Sequence, residues 1–154
     1  MARLYLMDYK PQPLILSIED SVGKCAANKR LDVMLVQFFL HVTAQNNEKS
    51  WGWFIDRKIT KPNTDGIYGP ITQDWIDRFQ KHLKHKIIAD GRVDAIKNGV
   101  SDTAAGGPLT MYMLNVAYYV TFGEGAISRA ADHPLMPREL AGTFMMHGRN
   151  WGSH

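Results

Sequence analysis

The sequence predicts a mainly α fold: three core helices joined by two related turns, with an N-terminal extended arm and a C-terminal extension. Three observations predict it. A phrase occurs twice, first as Asp65, Gly66, Ile67, Tyr68, Gly69, Pro70, Ile71, Thr72. It returns as Asp90, Gly91, Arg92, Val93, then thirteen inserted residues, then Gly107, Pro108, Leu109, Thr110. Three stretches place apolar side chains at helical spacing. The bulk composition of the 154 residues, 45 % hydrophobic and 21 % charged, is that of one packed domain with a substantial core.

Each element follows from local signals. Leu4 to Tyr9 and Pro13 to Ile18 are short apolar runs read as edge strands or extended arms, because proline lacks the N–H of an inner strand. Ser21 to Lys24 reads as a turn. Asn28 to Val42 is a helix, with Leu35, Phe38, Phe39 and Val42 on one face and Asn28 or Asp32 as N-cap. The second helix runs from Pro70 to about His85. Proline suits its first position, and Ile71, Trp75, Phe79 and Leu83 form one apolar stripe. The third runs from near Pro108 to Phe122, apolar nearly all round, and is expected at the centre until Gly123, Glu124 and Gly125 end it. Asp132, His133 and Pro134 read as a turn, and Pro137 to His147 as a last helix carrying Leu140, Phe144 and Met145, stopped by Gly148.

The repeated phrase has a physical job. An Asp–Gly pair makes a tight turn: glycine accepts positive φ, and the Asp carboxylate bonds the following backbone. An apolar residue, Ile67 or Val93, is expected to enter the core. Gly–Pro then opens a helix whose threonine bonds within its own first turn. None of these groups is an evident acid, base or nucleophile, so the phrase argues for folding.

This ordered series resembles the peptidoglycan-binding domain family. Val36, Gln37 and Leu40 match its first helix. Asp65 to Pro70 with Thr72 match its first turn, and Phe79 with Gln80 the end of its second helix. Ile88, Asp90, Gly91 and Val93, then Gly107, Pro108 and Thr110, match its second turn. Ser21 to Gly23, Asn28, Asp32 and Val33 match the lead-in of one branch. The resemblance covers roughly residues 18 to 122, which sets the expected domain, with 1–17 as the arm and 123–154 as an extension packing on it. It departs from the family at an insertion, 45–63, that brings Trp51 and Trp53, at a second insertion, 94–106, and in the tail.

The resemblance implies non-catalytic binding of bacterial cell-wall peptidoglycan, through its peptide stem, in a groove near the turns, by a bacterial or phage protein. Tyr68 is a candidate contact, and Arg92, read as holding the equivalent place in the second turn, a candidate partner for a stem carboxylate. A partly buried tyrosine and a solvated surface arginine are the bland alternatives. Trp51, Trp53 and Phe54 are either an exposed aromatic platform or a small core that orders the long loop. Asp65, Gly66, Gly69, Pro70, Asp90, Gly91, Gly107 and Pro108 are assigned to the turns themselves.

Other chemistry is excluded on the residues. Cys25 is the one cysteine, so no internal disulfide is expected, and it reads as a small half-buried thiol. The basic run Arg78, Lys81, His82, Lys84, His85, Lys86 suits a helix C-terminus. His82 and His85 have no evident third ligand, so no metal and no cofactor are expected. A net charge of +3 falls short of a nucleic-acid footprint. No run reaches the roughly 20 apolar residues of a membrane span. No signal-peptide pattern is seen at the N-terminus, so synthesis in the cytoplasm is expected, with a non-classical, phage or secretion-system route to the wall. A structural or adaptor protein reusing the scaffold for a protein partner is the main rival. A small wall hydrolase built on Glu124 with Asp132, or His133 with His147, is the weaker one.

Overall fold

The structure, a computed structural model, describes residues 3–6, 14–45, 62–83, 87–96 and 109–143. The fold is mainly helical. In chain order the elements are β1 (Arg3–Leu6), β2 (Leu14–Ser17), β3 (Val22–Gly23), α1 (Arg30–Gln45), α2 (Pro70–His82), β4 (Arg92–Val93), α3 (Thr110–Phe122) and a 3-10 helix (Ile127–Asp132). Residues 138–143 are again helical. Trp51, Trp53, Phe54, Lys84 to Lys86, Gly107, Pro108 and Phe144 to Gly148 lie outside the described residues.

α1 and α3 face one another, and α2 closes against α1. Val33, Leu35, Val36, Phe38, Phe39 and Val42 of α1 are fully enclosed, as are Trp75 and Phe79 of α2 and Met111 and Leu114 of α3. Each such side chain contributes about 1.5–3 kcal/mol by leaving water. The stripe expected on α2 holds for Trp75, Phe79 and Leu83 but not for Ile71, which is 49 % exposed. Pro70 is also exposed and nothing lies near a side chain built at Gly69, so the start of α2 projects beyond the core.

The N-terminal arm is more deeply engaged than the sequence suggests. β1 and β2 pair antiparallel, with Leu4 opposite Leu16. Ile15 and Leu16 are buried in the common core. Asn115 in the middle of α3 acts as a substitute strand partner for β2: its Oδ1 accepts from Leu16 N–H at 2.9 Å, and its Nδ2 donates to Leu16 C=O at 2.8 Å. A fully buried amide is tolerated there because both ends are bonded.

The expected caps of α1 do other work. Asn28 sits at φ +51 and clasps its own loop, accepting from Gly23 N–H at 2.7 Å and donating to Gly23 C=O at 3.0 Å. Asp32 is buried in the first helical turn, where its two oxygens accept from Glu19 N–H at 2.9 Å and Asp20 N–H at 3.0 Å. These short polar side chains satisfy loop donors that would otherwise be unpaired, rather than the helix end. Ser21 to Lys24 is likewise more than a turn: β3 pairs antiparallel with β4, Val22 opposite Val93 and Gly23 opposite Arg92. Gly23 has φ +121, and a Cβ there would lie 2.3 Å from the Gly91 carbonyl oxygen, so only glycine fits.

The C-terminal segment completes the core with Ile127, Ala130, Met136 and Leu140. His133 stacks edge-on against Phe38 and Phe122, both with ring centroids at 5.3 Å. Burial lowers its pKa, and its Nδ1 accepts from Leu135 N–H at 3.1 Å, which requires that nitrogen to be unprotonated. Tyr118, between Phe39 at 5.5 Å and Phe122 at 4.6 Å, has its phenol pushed up to about 12 by burial, against an opposing pull from Arg129.

Candidate functional site

Each repeated turn is held by one glutamine from the preceding helix. Gln37 of α1 accepts from Gly66 N–H at 2.9 Å. Its Nε2 donates to Asp65 Oδ1 at 3.1 Å, Ile67 C=O at 3.0 Å and Thr72 Oγ1 at 3.0 Å. Gln80 of α2 repeats the pattern, accepting from Gly91 N–H at 2.8 Å. Its Nε2 donates to Asp90 Oδ1 at 3.3 Å, Arg92 C=O at 2.8 Å and Thr110 Oγ1 at 3.0 Å. Both amides are buried. Two N–H groups thus serve three acceptors, and the clasp joins a turn, the start of the next helix and the preceding helix, at its middle for Gln37 and near its end for Gln80.

Within each turn the Asp closes the following backbone: Asp65 Oδ1 accepts from Ile67 N–H at 2.9 Å and Asp90 Oδ1 from Arg92 N–H at 3.0 Å. Gly66 at φ +74 and Gly91 at φ +77 supply the left-handed step. The threonine hydroxyls, expected to bond within their own helical turn, are instead reached by the glutamines. Counting from each Asp also corrects the register. Ile67 corresponds to Arg92, and Tyr68 to Val93. The first position points outward, leaving Ile67 69 % exposed, while Val93 is 1 % exposed. Ile67 is therefore not a core residue, and Arg92 is not the counterpart of Tyr68. The glutamines were visible only as matched letters of the motif; their spacing to the turns carries no local signal.

Tyr68 lies half-buried at the junction of the two turns. Its hydroxyl donates to Gln73 Oε1, and Gln73 Nε2 donates to Asp77 Oδ1 at 2.9 Å and Gly91 C=O at 3.0 Å. Burial raises the phenol pKa, with the nearby Asp77 charge adding to it. Lys24 N–H reaches the same Gly91 carbonyl at 3.0 Å. Cys25 is exposed, not half-buried, and has φ +54.

Arg92 has a different partner. Its Nη2 lies 3.4 Å from Asp94 Oδ1, which also accepts from Ser21 Oγ at 2.6 Å. Its Nε is buried with no partner among the described residues. Among the described residues no hydrogen bond or ion pair joins Tyr68 to Arg92, and Tyr68 reaches the second turn through Gln73.

A cleft that no sequence spacing marks opens at the first turn. It has a volume of about 250 Å³ and is lined by His41, Asn63, Thr64, Asp65 and Leu135. His41 Nδ1 lies 3.0 Å from Pro62 C=O, and since a carbonyl only accepts, that nitrogen carries the proton. Arg30 Nη1 meets Glu139 Oε2 at 2.7 Å, tying the C-terminal segment to α1. Among the described residues no group of three or more His, Cys, Asp or Glu could hold a metal ion, and no helix is long and apolar enough to cross a membrane. Comparison of the chain with protein-family models, curated proteins and solved structures finds no match.

Proposed function

We propose that this protein is a non-catalytic peptidoglycan-binding module that engages the peptide stem at its first turn. The observation that carries the reading is the pair of matching glutamine clasps, which gives physical unity to the motifs Val36–Gln37, Asp65 to Thr72, Phe79–Gln80, Asp90–Gly91 and Thr110 that resemble the wall-binding family. A rigid turn with an adjacent cleft and a half-buried tyrosine suits recognition by a few polar groups and some apolar contact. Reaching the wall by a non-classical, phage or secretion-system route belongs to the same proposal.

Co-sedimentation of the purified protein with insoluble peptidoglycan sacculi tests it, with Tyr68→Ala alongside. Pelleting of the wild type at low micromolar concentration, reduced in the variant, is the expected result. Failure of the wild type to pellet with sacculi of either major stem chemistry overturns the reading.

A second reading, an adaptor holding another protein, is favoured by one observation: the C-terminal segment walls the cleft through Leu135, while Ile67 in the same turn and Ile71 at the start of α2 stand exposed. A binding partner that covers Ile67 and Ile71, with no affinity for sacculi, is the outcome that selects it.

A further inference from the structure

The cleft at the first turn carries a more specific ligand chemistry. Among the described residues that line it, Asp65 is the one carboxylate. Asp65 Oδ1 is committed to Ile67 N–H and the Gln37 amide, whereas Oδ2 has no partner among the described residues. Thr64 and Asn63 also line it, with a hydroxyl and a side-chain amide that can each accept a hydrogen bond. His41 Nδ1 donates to Pro62 C=O, which leaves Nε2 as the ring nitrogen that can accept. Leu135 supplies the apolar wall.

We propose that this cleft takes a primary alkylammonium group, namely the free side-chain amine of a diamino acid in the wall stem. An ammonium has three donors and no acceptor, and the cleft offers a carboxylate oxygen with neutral oxygen and nitrogen acceptors around it. The alkyl chain lies along Leu135. Size decides between a whole ligand and a part of one. At about 250 Å³ the cleft is below the 300–1,000 Å³ usual for complete small ligands, so it holds one side chain of a larger polymer. A metal cation is a poor alternative, because hard cations need about six oxygen ligands and the described residues that line the cleft supply one carboxylate.

The inference rests on the wall-binding reading, and the experiment separates the two. Sacculi are divided, and one half is treated with acetic anhydride to convert free amines to neutral amides. Wild type and Asp65→Asn are pelleted with each. Asparagine keeps an Oδ1 acceptor for Ile67 N–H and the Gln37 amide and removes only the charge, and a thermal melt checks that the variant stays folded. The expected result is a loss of about tenfold in apparent affinity on acetylation, and a similar loss for Asp65→Asn on untreated sacculi. Equal pelleting of wild type with both preparations overturns the ammonium assignment and leaves wall binding intact. No pelleting with either removes both. If Asp65→Asn does not fold, the acetylation comparison alone decides.

Discussion

The two turns share one construction and differ in what surrounds it. Gln37 and Gln80 make the same four bonds at nearly the same distances. In the first copy the turn runs straight into α2, while in the second thirteen residues separate Val93 from Gly107. The clasp tolerates this because it fixes the two ends of the insertion independently, and loop length enters closure entropy only logarithmically. Outside the clasp they diverge. The second turn is welded in place: Gly91 C=O accepts from both Lys24 N–H and Gln73, and Arg92 pairs with Gly23 across β3 and β4. The first presents Ile67, Ile71 and the cleft to solvent. The two turns thus share a clasp and differ in surroundings: the second is bonded to β3 and α2, and the first is open to solvent.

The largest expected effect breaks the welded copy. Gly23→Ala places a Cβ at 2.3 Å from the Gly91 oxygen in a left-handed backbone, and should cost more than about 3 kcal/mol or prevent folding. A urea midpoint close to wild type would show that β3 and the second turn are not in contact. Next come the clasps. Gln37→Leu and Gln80→Leu each strand a buried glycine N–H and the acceptors around it, for about 2–4 kcal/mol. Denaturation should give losses within about 1 kcal/mol of one another. A large disparity would mean that the copies are not energetically equivalent.

Acid should act on the tail that walls the first turn. Burial lowers the pKa of His133, so its contribution is fully present above pH 6.5, the ordinary value, and is lost as pH falls through the depressed folded value. Protonation also removes the acceptor for Leu135 N–H. The melting temperature should therefore fall between neutral pH and pH 5, and His133→Phe should flatten that dependence. The smallest effect is a gain. Gly69 has extended backbone at φ −161, no side-chain cap and open space at Cβ, so it is not required by conformation. Gly69→Ser should stabilise α2 by about 0.3–1 kcal/mol in a thermal melt.

Much of this architecture is legible in the chain. The helical spacing of Leu35, Phe38, Phe39 and Val42 and the Asp–Gly–x–x–Gly–Pro grammar locate α1 and the start of α2 because both are local signals. Asn115 is not legible: within an apolar run it has no local mark, and its meaning depends on β2, 99 residues away. The same holds for Gln37 and Gln80, whose partners lie on later elements. Asn28 and Asp32 carry the letters of a helix cap, yet nearby loop donors compete for them and win. The cleft joins His41, Asp65 and Leu135 from three distant segments, so no spacing announces it.

Matched substitutions in the two turns test the division of labour most directly. Asp65→Asn and Asp90→Asn make the same change in the same local geometry, each preserving an Oδ1 acceptor. Sacculus binding should fall about tenfold for Asp65→Asn and remain near wild type for Asp90→Asn. Equal losses in both, or a loss confined to Asp90→Asn, would contradict the claim that the first turn is the one that recognises the wall.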